Sequence, residues 1–325
     1  MKIIVFSTHN FEKEYLLKQA NGHNVTFIKE QLNQETAPLA KGHDVVCVFT
    51  NDKVNKEVLD QLSDFGIKLV TLRCAGFNNV DLDYAKSKSI PVTRVPEYSP
   101  QAIAEHTMAM ILTLNRKTHK AYNRVRENNF NLDGLVGFDL YKKTIGVIGT
   151  GKIGNAFCKI ALGFGCRVLA FDLTKDSELE KLGVEYVGFD EILKESKIIS
   201  LHIPLNKSSY HLINDANIAK MQDGVVLINT SRGGLVDTKA LIKNLKEKKI
   251  LAAGLDVYEE EENLFFDDHS QDVLQDDDLA RLMTFPNVLI TSHQAFLTHE
   301  ALSNIAQTTF ESINSIESQS FKYLV

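Results

Sequence analysis

The chain has no C-x-x-C pair, no excess of basic charge, and no apolar run approaching the roughly 20 residues of a membrane-spanning helix. Three of its four cysteines, Cys47, Cys74, Cys158 and Cys166, lie in or beside apolar segments. The sequence therefore predicts buried thiols in a reducing compartment rather than disulfides. No cysteine and histidine grouping has zinc-ligand spacing, so no metal is expected. A net charge of −6 argues against a nucleic-acid binder, which is usually basic. There is no solenoid repeat and no low-complexity stretch. Neither a G-x-S-x-G elbow nor a P-loop occurs, which removes common hydrolase and kinase readings. The opening run, residues 1–6, is too short for a signal peptide and reads as a first strand. The expectation left is a cytoplasmic protein whose partner is neither membrane nor nucleic acid.

What is present is enough chain for about two domains: 325 residues, of which 44% are apolar. Short apolar runs at 3–6, 25–28, 45–49 and 68–72 alternate with amphipathic stretches, the rhythm of βα units on a parallel sheet. A long helix is expected from about Gln101 to Asn128, opened by Pro100. Its second half turns basic through Arg116, Lys117, Lys120, Arg124 and Arg126, a pattern that reads as a solvated face. A second βα series begins at Thr144 and ends near His293, and a last helix follows from about His299 to Ile316. The class is α/β, with a second domain inserted between a first domain and a returning C-terminal helix.

The second series opens with a cofactor signal. Gly149-Thr150-Gly151-Lys152-Ile153-Gly154 follows the strand-like residues 144–148 and precedes an amphipathic helix closed by Gly165. The next apolar run ends at Asp172. In this setting Gly149 permits a tight turn, Gly151 lets backbone approach a pyrophosphate, and Gly154 lets helix and strand pack closely. Asp172 can accept hydrogen bonds from ribose hydroxyls and would repel a 2′-phosphate, which favours NAD over NADP. Lys175 nearby could soften that preference.

Three residues then stand just past strand-like runs: Arg232 after 225–229, Glu261 after 252–258 and His293 after 288–292. A guanidinium can grip a carboxylate with two parallel hydrogen bonds. An imidazole can exchange a proton near neutral pH, and a carboxylate can orient it. Taken singly, each has a plainer reading. Arg232 could pair with Asp237, Glu261 is one of four consecutive glutamates, and His293 could be structural. His106, in the apolar helix, reads as a hydrogen-bonded core residue, and His202 as a residue beside the cofactor. The acidic stretch from Glu259 to Asp278 reads as a solvated loop.

Together the fingerprint, Thr230-Ser231-Arg232-Gly233-Gly234, Glu261 and His293-Gln294-Ala295-Phe296 resemble the D-isomer-specific 2-hydroxyacid dehydrogenase family. Supporting strings are residues 73–81, 95–100, 254–259 and 263–266, so the resemblance spans nearly the whole chain. It implies an NAD-binding Rossmann domain, a doubly wound parallel sheet over residues 101–296. That domain is inserted into a smaller flavodoxin-like α/β substrate domain of residues 1–100 and 297–325, with a cleft between them that closes over substrate. It implies NAD-dependent reduction of a small 2-keto acid, pyruvate to D-lactate first, with a larger 2-keto acid as the alternative. The catalytic residues implied are Arg232, Glu261 and His293. Ala75, Gly76, Tyr98, Arg232 and Phe296 would contact substrate. Gly149, Thr150, Gly151, Lys152, Ile153, Gly154, Asp172, Ile203, Pro204, Ser209, Thr230, Ser231, Arg232 and Asp256 would hold the cofactor. Ser209 departs from the asparagine that relatives often carry there. A homo-oligomer, dimer or tetramer, is implied by analogy.

Overall fold

The apolar runs of the first hundred residues become five short strands in a computed structural model that describes residues 1–262, 264–316 and 321–325. Asn263, part of one of the supporting strings, lies outside the described residues, as do 317–320. Packing divides the chain into two units, Met1–Ser99 with Leu297–Val325, and Pro100–Phe296.

In the first unit β1 (Lys2–Val5), β2 (Asn24–Phe27), β3 (Val45–Val48), β4 (Leu69–Leu72) and β5 (Val92–Thr93) form a sheet of order β2-β1-β3-β4-β5. Every pairing is parallel, and the order is the flavodoxin-like one. β3 and β4 are buried at every position, because helices cover both faces of a parallel sheet. One face packs Val58, Leu59 and Leu62 of helix Lys56–Asp64. The other packs Ala306, Phe310 and Ile313 of the C-terminal helix His299–Asn314. Each of the larger side chains among these contributes roughly 1.5–3 kcal/mol on burial.

At the end of β4 one charge is wholly enclosed. Arg73 is 1% exposed and makes a two-pronged pair with Glu12, Nε to Oε2 and Nη2 to Oε1, both at 2.9 Å. Nη2 also donates to the carbonyls of Phe6 and Ser7 at 3.1 and 3.2 Å. The guanidinium thus ties the ends of β1 and β4 together. Removing one partner strands the other charge in an apolar interior. Arg73→Met is expected to destabilise the first unit by about 3–5 kcal/mol. Arg73→Met with Glu12→Leu is expected to cost less than the single change; chemical unfolding of both variants measures it.

The second unit begins with helix Pro100–Arg116, but the expected continuous helix to Asn128 breaks. Lys117 is left-handed at φ +50°, and a separate helix Thr118–Arg126 follows. Tertiary bonds override the local pattern here. Asn115 Nδ2 donates to Phe138 O at 2.6 Å and its Oδ1 accepts from Phe138 N at 2.9 Å. Lys117 Nζ donates to Gly134 O and Val136 O at 2.9 and 2.8 Å. The basic run is therefore not simply a solvated face.

Seven strands follow: β6 (Thr144–Ile148), β7 (Arg167–Phe171), β8 (Glu185–Tyr186), β9 (Ile198–Leu201), β10 (Val225–Asn229), β11 (Ile250–Leu255) and β12 (Val288–Ile290). Their order is β12-β11-β10-β9-β6-β7-β8, all parallel. This is the doubly wound Rossmann order with one more strand, and the direction of winding reverses between β6 and β9. Ligands of such sheets bind beyond the carboxyl ends of the strands at that reversal. The four cysteines are free and buried, and burial pushes the Cys47 thiol up to about 11 and Cys158 to about 12. No helix among the described residues is long and apolar enough to cross a membrane.

Candidate active site

The turn after β6 needs its glycines for three different reasons. Gly149 has φ +95°, and a Cβ there would lie 2.5 Å from the carbonyl oxygen of His202, after β9. A Cβ on Gly154 would lie 1.9 Å from Gly149 O, so any side chain would force helix Lys152–Gly163 off the turn. Gly151 meets nothing within 4 Å and opens onto free space. It is also the helix N-cap, with no side-chain cap and no acidic residue in the first turn. Those first N–H groups suit an anionic diphosphate.

Asp172 ends β7 beside this turn. Its Oδ2 accepts from Thr150 N at 2.6 Å and Thr150 Oγ1 at 3.2 Å, and its Oδ1 from Thr174 N at 3.2 Å. Burial alone would raise its pKa, but these donors outweigh it and hold the carboxyl below its ordinary range. A carboxylate only accepts, so a ribose hydroxyl would meet Asp172 as a donor. Lys175 lies over the Tyr186 ring, 6.0 Å from its centroid. His202 is half-buried, with Nε2 2.8 Å from Ser200 Oγ and its ring 5.2 Å from Phe157. Burial pushes its imidazole down to about 3, so it adds no positive charge beside the turn. Ile203 is half-buried and Pro204 exposed on the same loop. Ser209 spends its hydroxyl on Pro204 O at 2.8 Å and on Asn206 N at 2.8 Å, closing its own turn.

The trio is assembled by three neighbouring strand ends, those of β10, β11 and β12. Asn229 closes β10 and shapes the next turn: its Oδ1 accepts from Ser231 N at 3.1 Å and its Nδ2 donates to Arg232 O at 2.8 Å. Ser231 Oγ bonds Ile203 O at 2.6 Å, and Thr230 Oγ1 lies 2.9 Å from Thr107 Oγ1. Arg232 is half-buried, and its guanidinium makes one hydrogen bond among the described residues, Nη1 to Ser231 O at 2.7 Å. Asp237 does not pair with it; that carboxylate caps helix Thr238–Lys246. A Cβ on Gly233 would meet Tyr258 O at 2.0 Å, so glycine lets the turn after β10 seat against the turn after β11.

On that second turn the run of glutamates separates by partner. Glu261 Oε1 lies 2.7 Å from His293 Nδ1, and its Oε2 accepts from Tyr258 N at 2.9 Å. Glu259 instead accepts from Thr238 Oγ1 at 3.0 Å and Tyr210 OH at 3.2 Å, and pairs with His211. Because a carboxylate only accepts, His293 carries its hydrogen on Nδ1 and leaves Nε2 unprotonated when neutral. Both partners are about one-fifth exposed, and the Phe266 ring lies 5.9 Å from the imidazole.

Asp256 shows what holds His293 there. Fully buried, it accepts from Thr291 Oγ1 at 2.5 Å, Gln294 N at 2.9 Å and Ala295 N at 2.9 Å, while its own carbonyl accepts from His293 N at 2.7 Å. The turn needs this clamp, since His293 sits at φ +53°, a conformation non-glycine residues rarely adopt. His106 reaches the same group, Nε2 lying 3.4 Å from Asp256 Oδ1 and 3.2 Å from Thr291 Oγ1. The resemblance assigns Asp256 to the cofactor and the apolar helix assigns His106 to the core, and the spacing of neither signals the clamp. Burial would raise the Asp256 pKa, but the bonds from His106, Thr291 and the turn amides hold it below the ordinary value. A depressed folded pKa contributes stability above the unfolded value of about 3.9 that is lost as pH falls through the folded one. The expectation is that wild-type melting temperature falls more steeply below about pH 4 than that of Asp256→Asn. Parallel acid-side slopes for the two proteins would contradict it.

Ala75, Gly76 and Tyr98 belong to the first unit, where Tyr98 O accepts from Asn304 Nδ2 at 2.5 Å. Phe296 closes the second unit and is 8% exposed. In the acidic stretch Asp276 bonds Tyr258 OH at 2.8 Å and caps helix Asp277–Thr284. Among the described residues no three His, Cys, Asp or Glu side chains come together as a metal site would need.

A dinucleotide turn at the sheet reversal, with Arg, Glu and His on adjacent strand ends, defines a nicotinamide-dependent oxidoreductase acting on a small acid. Residues 108–295 match the family described as D-isomer specific 2-hydroxyacid dehydrogenase, NAD binding domain. The D-lactate dehydrogenase of Escherichia coli (strain K12) is 50% identical over 319 residues, covering 98% of this chain and 97% of that one. The solved pyruvate reductase of Chlamydomonas reinhardtii superposes with TM-score 0.94 at 42% identity over 98% of this chain and 97% of that one. The D-lactate dehydrogenase of Lactobacillus jensenii, solved with NAD+, gives TM-score 0.83 at 36% identity, covering 100% and 99%. The chain belongs to the D-isomer-specific 2-hydroxyacid dehydrogenase family, and its cofactor is NAD.

Proposed function

We propose that the chain reduces pyruvate to D-lactate with NADH. The observation that carries this reading is the 2.7 Å pair of His293 and Glu261 on strand ends next to that of Arg232, whose guanidinium has donors to spare. Arg232 grips the substrate carboxylate and stabilises charge that gathers on the carbonyl oxygen. Protonated His293 gives that oxygen a proton from Nε2, and neutral His293 takes it back in the reverse direction. Glu261 fixes the ring and balances its charge. NAD, when bound along residues 149–154, supplies or accepts the hydride. Thr150, Lys152, Ile153, Ile203, Pro204, Ser209, Thr230, Ser231 and Asp256 go with this reading as cofactor neighbours, Ala75 and Gly76 as carboxylate donors, and Tyr98 and Phe296 as neighbours of the substrate's methyl group. A cytoplasmic homo-oligomer belongs to the same reading.

The test is a rate comparison across pyruvate, 2-ketoisocaproate and phenylpyruvate, each with NADH and NADPH. The highest kcat/KM is expected for pyruvate with NADH. One methylene shifts selectivity by only about 10–200-fold, so a maximum at a longer acid would move the assignment to that substrate.

A further inference from the structure

The edge of the seven-stranded sheet opposite the cofactor turn holds a cavity of about 510 Å³. It lies where β10 and β11 begin and where Pro286 and Asn287 lead into β12, so it is apart from the edge where such sheets bind nucleotides. Its walls are mostly apolar: Leu114, Phe138, Ile250 and Leu251 are among them. Its charged side chains are all lysines: Lys117 and Lys120, half-buried, and Lys248, exposed.

Two features make this a built site. The wall at residues 134–138 is pinned, by the two-way bond between Asn115 and the Phe138 backbone and by Lys117 Nζ on two carbonyls. Gly137 is required for it, because a Cβ would lie 2.4 Å from Asn115 O. The charge also has no carboxylate beside it to balance it. Lys120 Nζ bonds the carbonyl of Pro286, and among the described residues neither it nor Lys117 or Lys248 pairs with a carboxylate. Burial, and then the neighbouring Lys117 and Arg124, pull the Lys120 pKa down. Nδ1 of His119, also on the lining, is buried without a hydrogen-bond partner. Positive charge collected in one cavity of a chain with net charge −6 calls for an anion. The apolar walls call for a hydrophobic body attached to it, and the volume falls in the roughly 300–1,000 Å³ range of small-molecule sites.

We propose that this cavity is a second ligand site, for a small organic anion with an aromatic or branched apolar body. The probe is 8-anilinonaphthalene-1-sulfonate, titrated by fluorescence into the full chain saturated with NAD. Its uncharged counterpart N-phenyl-1-naphthylamine serves as comparison. Lys120→Glu and Lys248→Glu are measured beside the wild type, with turnover as the check that each is folded. The expected result is sulfonate binding that survives saturating NAD and weakens at least about tenfold in each variant. The uncharged probe should change little. Displacement by NAD, equal sulfonate affinity in the variants, or equal weakening of both probes overturns the proposal. So does binding that appears only in variants whose sedimentation shows a smaller oligomer, which would give the cavity to a chain–chain contact.

Discussion

His293→Ala is expected to lower kcat by about 10²–10⁴-fold, the usual worth of a positioned general acid. NADH affinity should stay close to wild type, because the dinucleotide turn at Gly149 to Gly154 and Asp172 does not use the imidazole. A structural histidine would behave differently. The His293 backbone already bonds Asp256 O at 2.7 Å, and that bond survives truncation of the side chain. Loss of turnover and of NADH binding to the same extent would therefore point to a collapsed turn rather than a lost proton donor. Single-turnover rates with NADH binding measured by fluorescence separate the two.

Arg232→Ala is expected to cost about 10²–10³-fold in kcat/KM for the keto acid, the scale seen when a donor to a developing oxyanion is removed. Both KM and kcat should suffer, since the same guanidinium binds carboxylate and stabilises the carbonyl oxygen. Arg232→Lys should recover little. A lysine is a single point charge and cannot present two parallel N–H groups. The turn itself should persist, because Asn229 shapes it through the backbone of Ser231 and Arg232. Full activity in Arg232→Lys, measured over a range of pyruvate concentrations, would remove the bidentate grip from the account.

The parts of this site that depend on spacing were readable in the chain. Gly149, Gly151, Gly154 and Asp172 stand at fixed offsets because one turn and one strand connect them, and the fold obeys those offsets. Arg232 and His293 follow apolar runs that become β10 and β12. What depended on distant side chains was not readable. Nothing local marks Lys117 as a helix break; Asn115 bonding to Phe138 and Lys117 bonding to Gly134 and Val136 impose it. Among the four glutamates, residue chemistry is identical and only partners differ, His293 for Glu261 and His211 for Glu259. The family resemblance gives Asp256 to the cofactor site, yet its carboxylate is taken up by Thr291, Gln294 and Ala295. Those bonds join residues 35 to 39 positions apart, a separation no periodicity reports.

The most direct test of the central reading is chiral analysis of the product formed from pyruvate and NADH by the wild-type chain. The account predicts consumption of NADH matched mole for mole by D-lactate. Formation of L-lactate, or no NADH consumption at saturating pyruvate, would contradict it.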